Sequence, residues 1–170
     1  MPKGLKQSSS TVAIGFTVQE SAPSTFTQQQ VDLNLSPLDR EVFVVLAINL
    51  DSSSPDALAG QNTSVNGQVT TTSQTTSVNI SDSNCLAKKH ERIRGAGFVD
   101  GGVGFSENAL ETPPATLEYI GIIATNDFFV GVEGTNNLSP KTISGKLYGY
   151  RAVASADIYA ALVQSEVLSA

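Results

Sequence analysis

Between Glu41 and Leu50 the chain reads Glu-Val-Phe-Val-Val-Leu-Ala-Ile-Asn-Leu, an apolar run without alternation. A strand built from it buries both faces, which places it centrally in a sheet. Its β-branched residues, Pro37 upstream and the Asp51-Ser-Ser-Ser-Pro55 stop favour strand over helix. The segment Thr116 to Thr125 has the same character, with Leu117 to Ala124 apolar, and it meets Asn126-Asp127 before Phe128 to Glu133. That pattern predicts a hairpin. The weak likeness between the two runs reflects similar environments rather than a duplication.

Alternation is plainer elsewhere. Thr11 to Val18 sets Val12, Ile14, Phe16 and Val18 on one face of a strand, with smaller residues opposite. Phe26 to Leu35 alternates in its second half, where Val31, Leu33 and Leu35 oppose Asp32 and Asn34. Thr142 to Val153 places Ile143, Leu147 and Val153 on one side, with Tyr148 and Tyr150 on the other. Asn66-Gly67, between Val65 and Val69, predicts a tight turn. The Thr-rich stretch Val69 to Ile80 predicts a polar edge or surface strand. In the glycine-rich segment from Gly95 to Phe105, Phe98 and Phe105 are candidate core anchors, and the glycines permit bulges or close chain approach.

The ends differ from this body. Residues 1–10 are polar and without periodicity, which reads as a flexible or partner-bound arm. At the other end Ser155 is placed to cap a helix from Ala156 to Leu168, with Asp157 in its first turn. The apolar positions of that helix, Ile158, Tyr159, Leu162, Val163, Val167 and Leu168, spread wider than one stripe. Such a helix needs a groove, and the expected groove lies on another copy of the chain. The fold class expected is all-β: a two-sheet antiparallel β-sandwich over residues 11–153, followed by a short C-terminal α-helix in an extension of residues 154–170.

Composition narrows the picture. A chain of 170 residues suits one domain with a proper core. Only 15% of its residues are charged, against about a quarter in an ordinary soluble domain. Much of the surface is therefore Ser, Thr, Asn and Gln, or is buried against other chains. The net charge of −6 supplies no general field for nucleic acid. Cys85 stands alone, so no intrachain disulfide or cysteine-based zinc site is available, and it reads as a small buried apolar residue. The N-terminus lacks the apolar core of a secretory signal, and no run approaches the length of a membrane span. The expectation is synthesis in a reducing cytoplasm, with Asn62-Thr-Ser and Asn79-Ile-Ser unused as glycosylation acceptors.

Residues suited to catalysis or metal binding are few. The single histidine, His90, sits among Lys88, Lys89, Arg92 and Arg94, which oppose an imidazolium or a metal cation. The glycine-rich segment has Asp100 where a dinucleotide fingerprint needs its third glycine. Acidic pairs such as Glu107 with Glu111, or Asp32 with Asp39, are common in all-β loops, and there is no tryptophan to stack on a sugar. The reading is no enzyme, no cofactor and no metal. The one electrostatic feature is the group Lys88, Lys89, Arg92 and Arg94, with Lys3 and Lys6 of the arm, as a candidate contact with nucleic acid or another subunit.

Eight to ten strands between polar loops, no catalytic set and a partner-seeking terminal helix resemble the single jelly-roll coat proteins of small icosahedral viruses, and more loosely small structural proteins of marine phages. The resemblance implies a jelly-roll and a virion structural protein, a coat or capsid-decorating subunit. Its implied partners are copies of itself and other virion proteins, and its implied location is the virion. Two features depart from the family's pattern: the arm carries only Lys3 and Lys6 rather than an Arg-rich segment, and the terminal helix is an addition to the roll. The competing expectation is a non-catalytic β-sandwich that recognises a glycan or a cell-surface receptor through its loops.

Overall fold

The computed structural model describes residues 1–95, 102–109 and 116–169. In chain order the elements are β1 (Leu5–Gln7), β2 (Val12–Gln19), β3 (Thr27–Asp32), β4 (Glu41–Ser52), β5 (Thr63–Thr70), β6 (Cys85–Arg94), β7 (Val103–Ala109), β8 (Gly121–Ile123), β9 (Asp127–Thr135), β10 (Thr142–Ala154) and α1 (Ala156–Leu168). They form two antiparallel sheets. The first runs β1-β10-β4-β8, with β2 beside β1 on the same flank of β10, and the second runs β3-β9-β5-β6-β7. With β1 and β7 set aside, eight strands pair first with last, second with seventh, third with sixth and fourth with fifth. That winding is the jelly-roll.

The sheets enclose a core that contains Phe43, Val45, Ile48, Val65, Val69, Ile123, Phe128, Val130, Ile143 and Leu147. Phe16 meets Phe128 edge to face, with ring centroids 6.0 Å apart. The alternation read in β2 and β10 holds: Ile14, Phe16 and Val18 face this core from β2, and Ile143 and Leu147 face it from β10.

The central strand fails to alternate for two physical reasons. Tyr148 pairs with Ala47 but Gly149 pairs with Val45, so Leu46 is an extra residue and the parity of β4 resets there. Ile48 and Leu50 on one side of the bulge, and Phe43 and Val45 on the other, therefore all face the inner core. Gly149 lies opposite, where a Cβ would stand 2.2 Å from the Val44 carbonyl oxygen. The outer face of β4 is buried as well. Val42 and Val44 join Leu5, Tyr150, Ala152 and Ala154 in a second cluster, against which Ile158, Tyr159, Leu162 and Val163 of α1 pack.

Several local expectations are corrected. Asn66-Gly67 makes no turn, because both lie inside β5, opposite His90 and Lys89. Gly67 is required by packing across the sandwich, since a Cβ there would stand 2.4 Å from Ile143 Cδ1. The expected hairpin at Asn126-Asp127 is a crossing between sheets: β8 pairs with β4 and β9 with β3 and β5. Asn126 anchors that crossing, its carbonyl accepting from Leu33 N and its side-chain oxygen from Leu35 N. The Thr-rich stretch leaves the sheet after Thr70 and lies as a loop over the second sheet, held by Gln28 to Ser73 and Gln74 and by Gln68 to Val78. Residues 1–10 are no free arm, since Leu5–Gln7 pairs with β10 and Ser8 N donates to Arg151 O. Ser155 occupies the N-cap of α1, but its hydroxyl makes no capping bond. Phe105 is 49% exposed and anchors no core. Phe98, Asp100 and Glu111 lie outside the described residues.

Candidate functional site

The basic residues singled out in the sequence separate in space. Val65 and Val69 of β5 face the core, and their partners Glu91 and Ala87 on β6 share that side. Lys89 therefore points inward and Lys88, His90, Arg92 and Arg94 point outward. Lys89 is buried, with its Nζ 3.7 Å from Glu91 Oε1. Lys88 donates to Ser77 Oγ at 2.7 Å and to the Val78 carbonyl, and its burial lowers its pKa. Arg92 is paired with Glu107 on β7. Arg94 is exposed at the end of β6. Lys6, on β1, belongs to the other sheet, with Lys3 just before it. One continuous cationic surface is not formed by these six residues.

Beside Lys88 the loop over the second sheet leaves an open cleft of about 560 Å³, lined by Ser77, Asn79, Ile80, Lys88, His90 and Glu107 among others. His90 is held below its usual pKa, first by partial burial and then by Arg92, so it is neutral at pH 7. The cleft thus brings together an imidazole, an ammonium already bound to Ser77 and Val78, and a carboxylate paired with Arg92. Among the described residues no group of three or more His, Cys, Asp or Glu converges as metal ligands do. Burial pushes the Cys85 thiol up to about 11, so the sulfur is protonated and unreactive at neutral pH.

The terminal helix finds its groove on its own subunit. Ile158, Tyr159, Leu162 and Val163 cover the outer face of the first sheet, while Val167 and Leu168 stand 59% and 75% exposed. Glu166 fastens the end of the helix. Its Oε2 accepts from Ala124 N at 2.8 Å and Thr125 N at 3.0 Å, in the crossing from β8 to β9. Burial raises its pKa, and these two N–H groups pull in the opposite direction. Asn84 donates to the Ser169 carbonyl and accepts from Thr71 Oγ1. The polar groups beneath the helix thus satisfy one another.

A second buried polar hub closes the sandwich near the turn between β9 and β10. Glu20 accepts from Thr25 N and Gly134 N through Oε1 and from Lys141 N through Oε2. Lys141 Nζ lies 2.6 Å from Asp56 Oδ1, and Asn137 links Asp56 N to Ser64 O. Nothing around Glu20 in the sequence announces this role, because its partners lie more than a hundred residues away in Gly134 and Lys141. The signal that sequence reading passed over is the lack of any charge or proline from Val12 to Val18, which matters only once that strand is known to lie at an edge.

No family model matches the chain, and no curated protein matches it in sequence. Solved structures do. A chain from Desmodium yellow mottle tymovirus is 14% identical, with 92% of this chain and 95% of that chain covered at a TM-score of 0.33. A chain from turnip yellow mosaic virus is 12% identical over 87% of this chain and 98% of that chain, at a TM-score of 0.27. A structure of the same virus at 100 K gives 11% identity, coverage of 88% and 99%, and a TM-score of 0.28. The strand order, not these overlaps, identifies the roll.

Proposed function

We propose that this chain is a virion structural protein, a coat or capsid-decorating subunit whose work is to associate with its own copies. The observation that carries the reading is the jelly-roll winding of eight strands, an architecture shared by viral capsid and lectin domains. The side chains around it support contact rather than chemistry. The polar groups that come together, at Glu20, Lys141 and Asp56 and again at Glu166 and Asn84, bind backbone and one another. A surface poor in charge reduces repulsion between copies, and Leu38 and Leu138 project from loops at 95% and 75% exposure.

Four of the six helix positions first expected to bind a neighbour are occupied at home, so association proceeds through other surfaces, with Val167 and Leu168 the part of α1 still available. The location that follows is the virion, after synthesis in the host cytoplasm, with other virion proteins as further partners. Nucleic acid is a weaker partner in this reading, since Lys88, Lys89 and Arg92 already have protein partners. No helix among the described residues is long and apolar enough to cross a membrane.

Light scattering over a range of concentration, pH and salt tests the reading. Oligomers or particles are expected, and a clean monomer under all conditions would overturn it. The second reading, a glycan- or receptor-binding sandwich, is favoured by the cleft at Asn79, Lys88 and His90. Binding of the isolated monomer on a glycan array, lost on substitution of Asn79, would select it.

A further inference from the structure

We infer that the free edge of β2 is an interface between copies: β2 of one copy pairs antiparallel with β2 of a second, continuing the first sheet across both. The inference rests on the self-association reading above and names the surface that carries it. β2 pairs with β10 in unbroken register from Gln19 opposite Thr142 to Val12 opposite Gly149, so the strand has no bulge. Its sequence, Val-Ala-Ile-Gly-Phe-Thr-Val-Gln, holds no charge and no proline. On the side away from β10, no described residue hydrogen-bonds to its backbone. Soluble proteins ordinarily guard such an edge with lysine, proline, a bulge or a covering loop, because its unpaired N–H and C=O groups are a template for another strand.

The other edge strands among the described residues differ from β2. β1 and β8 have only three residues each, and β1 carries Lys6. The loop over the second sheet holds β3 through Gln28, and β3 ends on Asp32. β7 carries Glu107, paired with Arg92.

Beneath the β2 edge the sandwich is open. Ile14, Phe16 and Val31 pack against the core yet are only partly buried, and Val12 is 43% exposed. A groove of about 610 Å³ runs between β2 and β3, and Asp32 is the one charged residue lining it. A strand from a second copy would satisfy the free backbone groups and bring apolar side chains over the half-covered ones.

A second copy fits this edge better than a charged partner. The chain as a whole carries −6, but β2 is neutral, so two copies meet here without direct repulsion. Keeping both cores on the same side requires even-numbered residues to face even-numbered ones, which centres the pairing on Gly15 or Phe16. A Cβ at Gly15 would meet nothing within 4 Å, so the outer face has room for a side chain there. Pairing over the eight residues of β2 gives a contact about 27 Å long, in which backbone hydrogen bonds supply the affinity. The twofold pairing consumes the edge in both copies and closes.

Sedimentation velocity on the full chain, with and without the paired substitutions Ala13→Lys and Thr17→Lys, tests the edge. Both residues are exposed on the outer face, and the substituted chain is expected to lose dimers and larger species, with at least about a tenfold rise in the dissociation constant. In the register centred on Gly15, Gly15→Cys is expected to give a covalent pair on oxidation through the new thiol, Cys85 being buried. A wild-type chain that stays monomeric overturns the self-association reading itself. A wild-type chain that associates, beside a folded lysine variant that associates equally well, overturns the edge pairing alone. If the lysine variant does not fold, amide exchange of the wild type decides: β2 amides slowed on association support the pairing, and unchanged β2 amides refute it.

Discussion

Glu166 offers the sharpest test of how the terminal helix is held. Replacing it with alanine leaves Ala124 N, which is buried, and Thr125 N, which is partly buried, without their acceptor. An orphaned buried donor costs about 1–3 kcal/mol and a partly wet one nearer 1 kcal/mol, so Glu166→Ala is expected to destabilise the fold by about 2–4 kcal/mol. With a urea slope of about 2 kcal/mol/M, the unfolding midpoint falls by about 1–2 M. Glu166→Gln is the informative control. Both N–H groups bind Oε2, so a single amide oxygen can accept both and most of the loss is recovered. The pH dependence has a definite sign. Burial raises the folded-state pKa of Glu166 above the ordinary value of an unfolded chain, so between those two values the folded state binds more protons. Wild-type stability, relative to Glu166→Gln, therefore rises as pH falls from neutral into the weakly acidic range and declines as pH rises through the folded pKa. Asp127, also raised by burial, adds to the raising of Glu166, so the comparison is repeated with Asp127→Asn in both backgrounds to remove its own titration. Urea titrations at several pH values, with amide exchange at Ala124 and Thr125, measure all of this. An alanine variant within about 0.5 kcal/mol of wild type, with both amides still protected, would refute the latch.

Three further outcomes follow from the geometry. Glu20→Ala removes the acceptor of three backbone N–H groups and is expected to cost about 3 kcal/mol or more in chemical denaturation, whereas a loss under 1 kcal/mol would mean water replaces the carboxylate. Gly67→Ala forces a methyl against Ile143 Cδ1 and is expected to cost about 1–3 kcal/mol, part of which returns when Ile143→Val is added; an undiminished loss in the double variant would place the strain elsewhere. Cys85, buried and with its thiol pushed up to about 11, is expected to resist iodoacetamide at pH 8 in the folded protein and to react readily in urea, and equal rates in the two states would contradict its burial.

The sandwich class, the limits of β2, β4 and β10, and the lone terminal helix could be read from hydrophobic pattern alone. Residue-level periodicity reports how many faces an element buries, and Val42 to Leu50 and Ile158 to Val163 reported it correctly. What periodicity does not report is which surfaces meet. The doubly buried strand and the broad apolar helix are each other's partners: Val42 and Val44 lie under Ile158, Tyr159, Leu162 and Val163. Read separately, the strand needed a cover and the helix needed a groove, and the groove was sought on another copy. Asn66-Gly67 misled for a related reason. Its glycine serves the close approach of Ile143 from the opposite sheet, and local turn chemistry cannot be told from distant packing in one dimension.

By itself, then, the order of residues determined that this is a β-sandwich with one helix, where its main strands run, and that it lacks the histidines and cysteines of the common catalytic and metal sites. Only the tertiary structure decided that the helix belongs to its own sheet, that the basic residues of β6 divide between two faces, and that β2 lies at an edge of the first sheet. The physical reason is range. Periodicity is set by neighbours within a few residues, whereas strand order, edge exposure and the carboxylates of Glu20 and Glu166 depend on contacts between segments far apart in the chain.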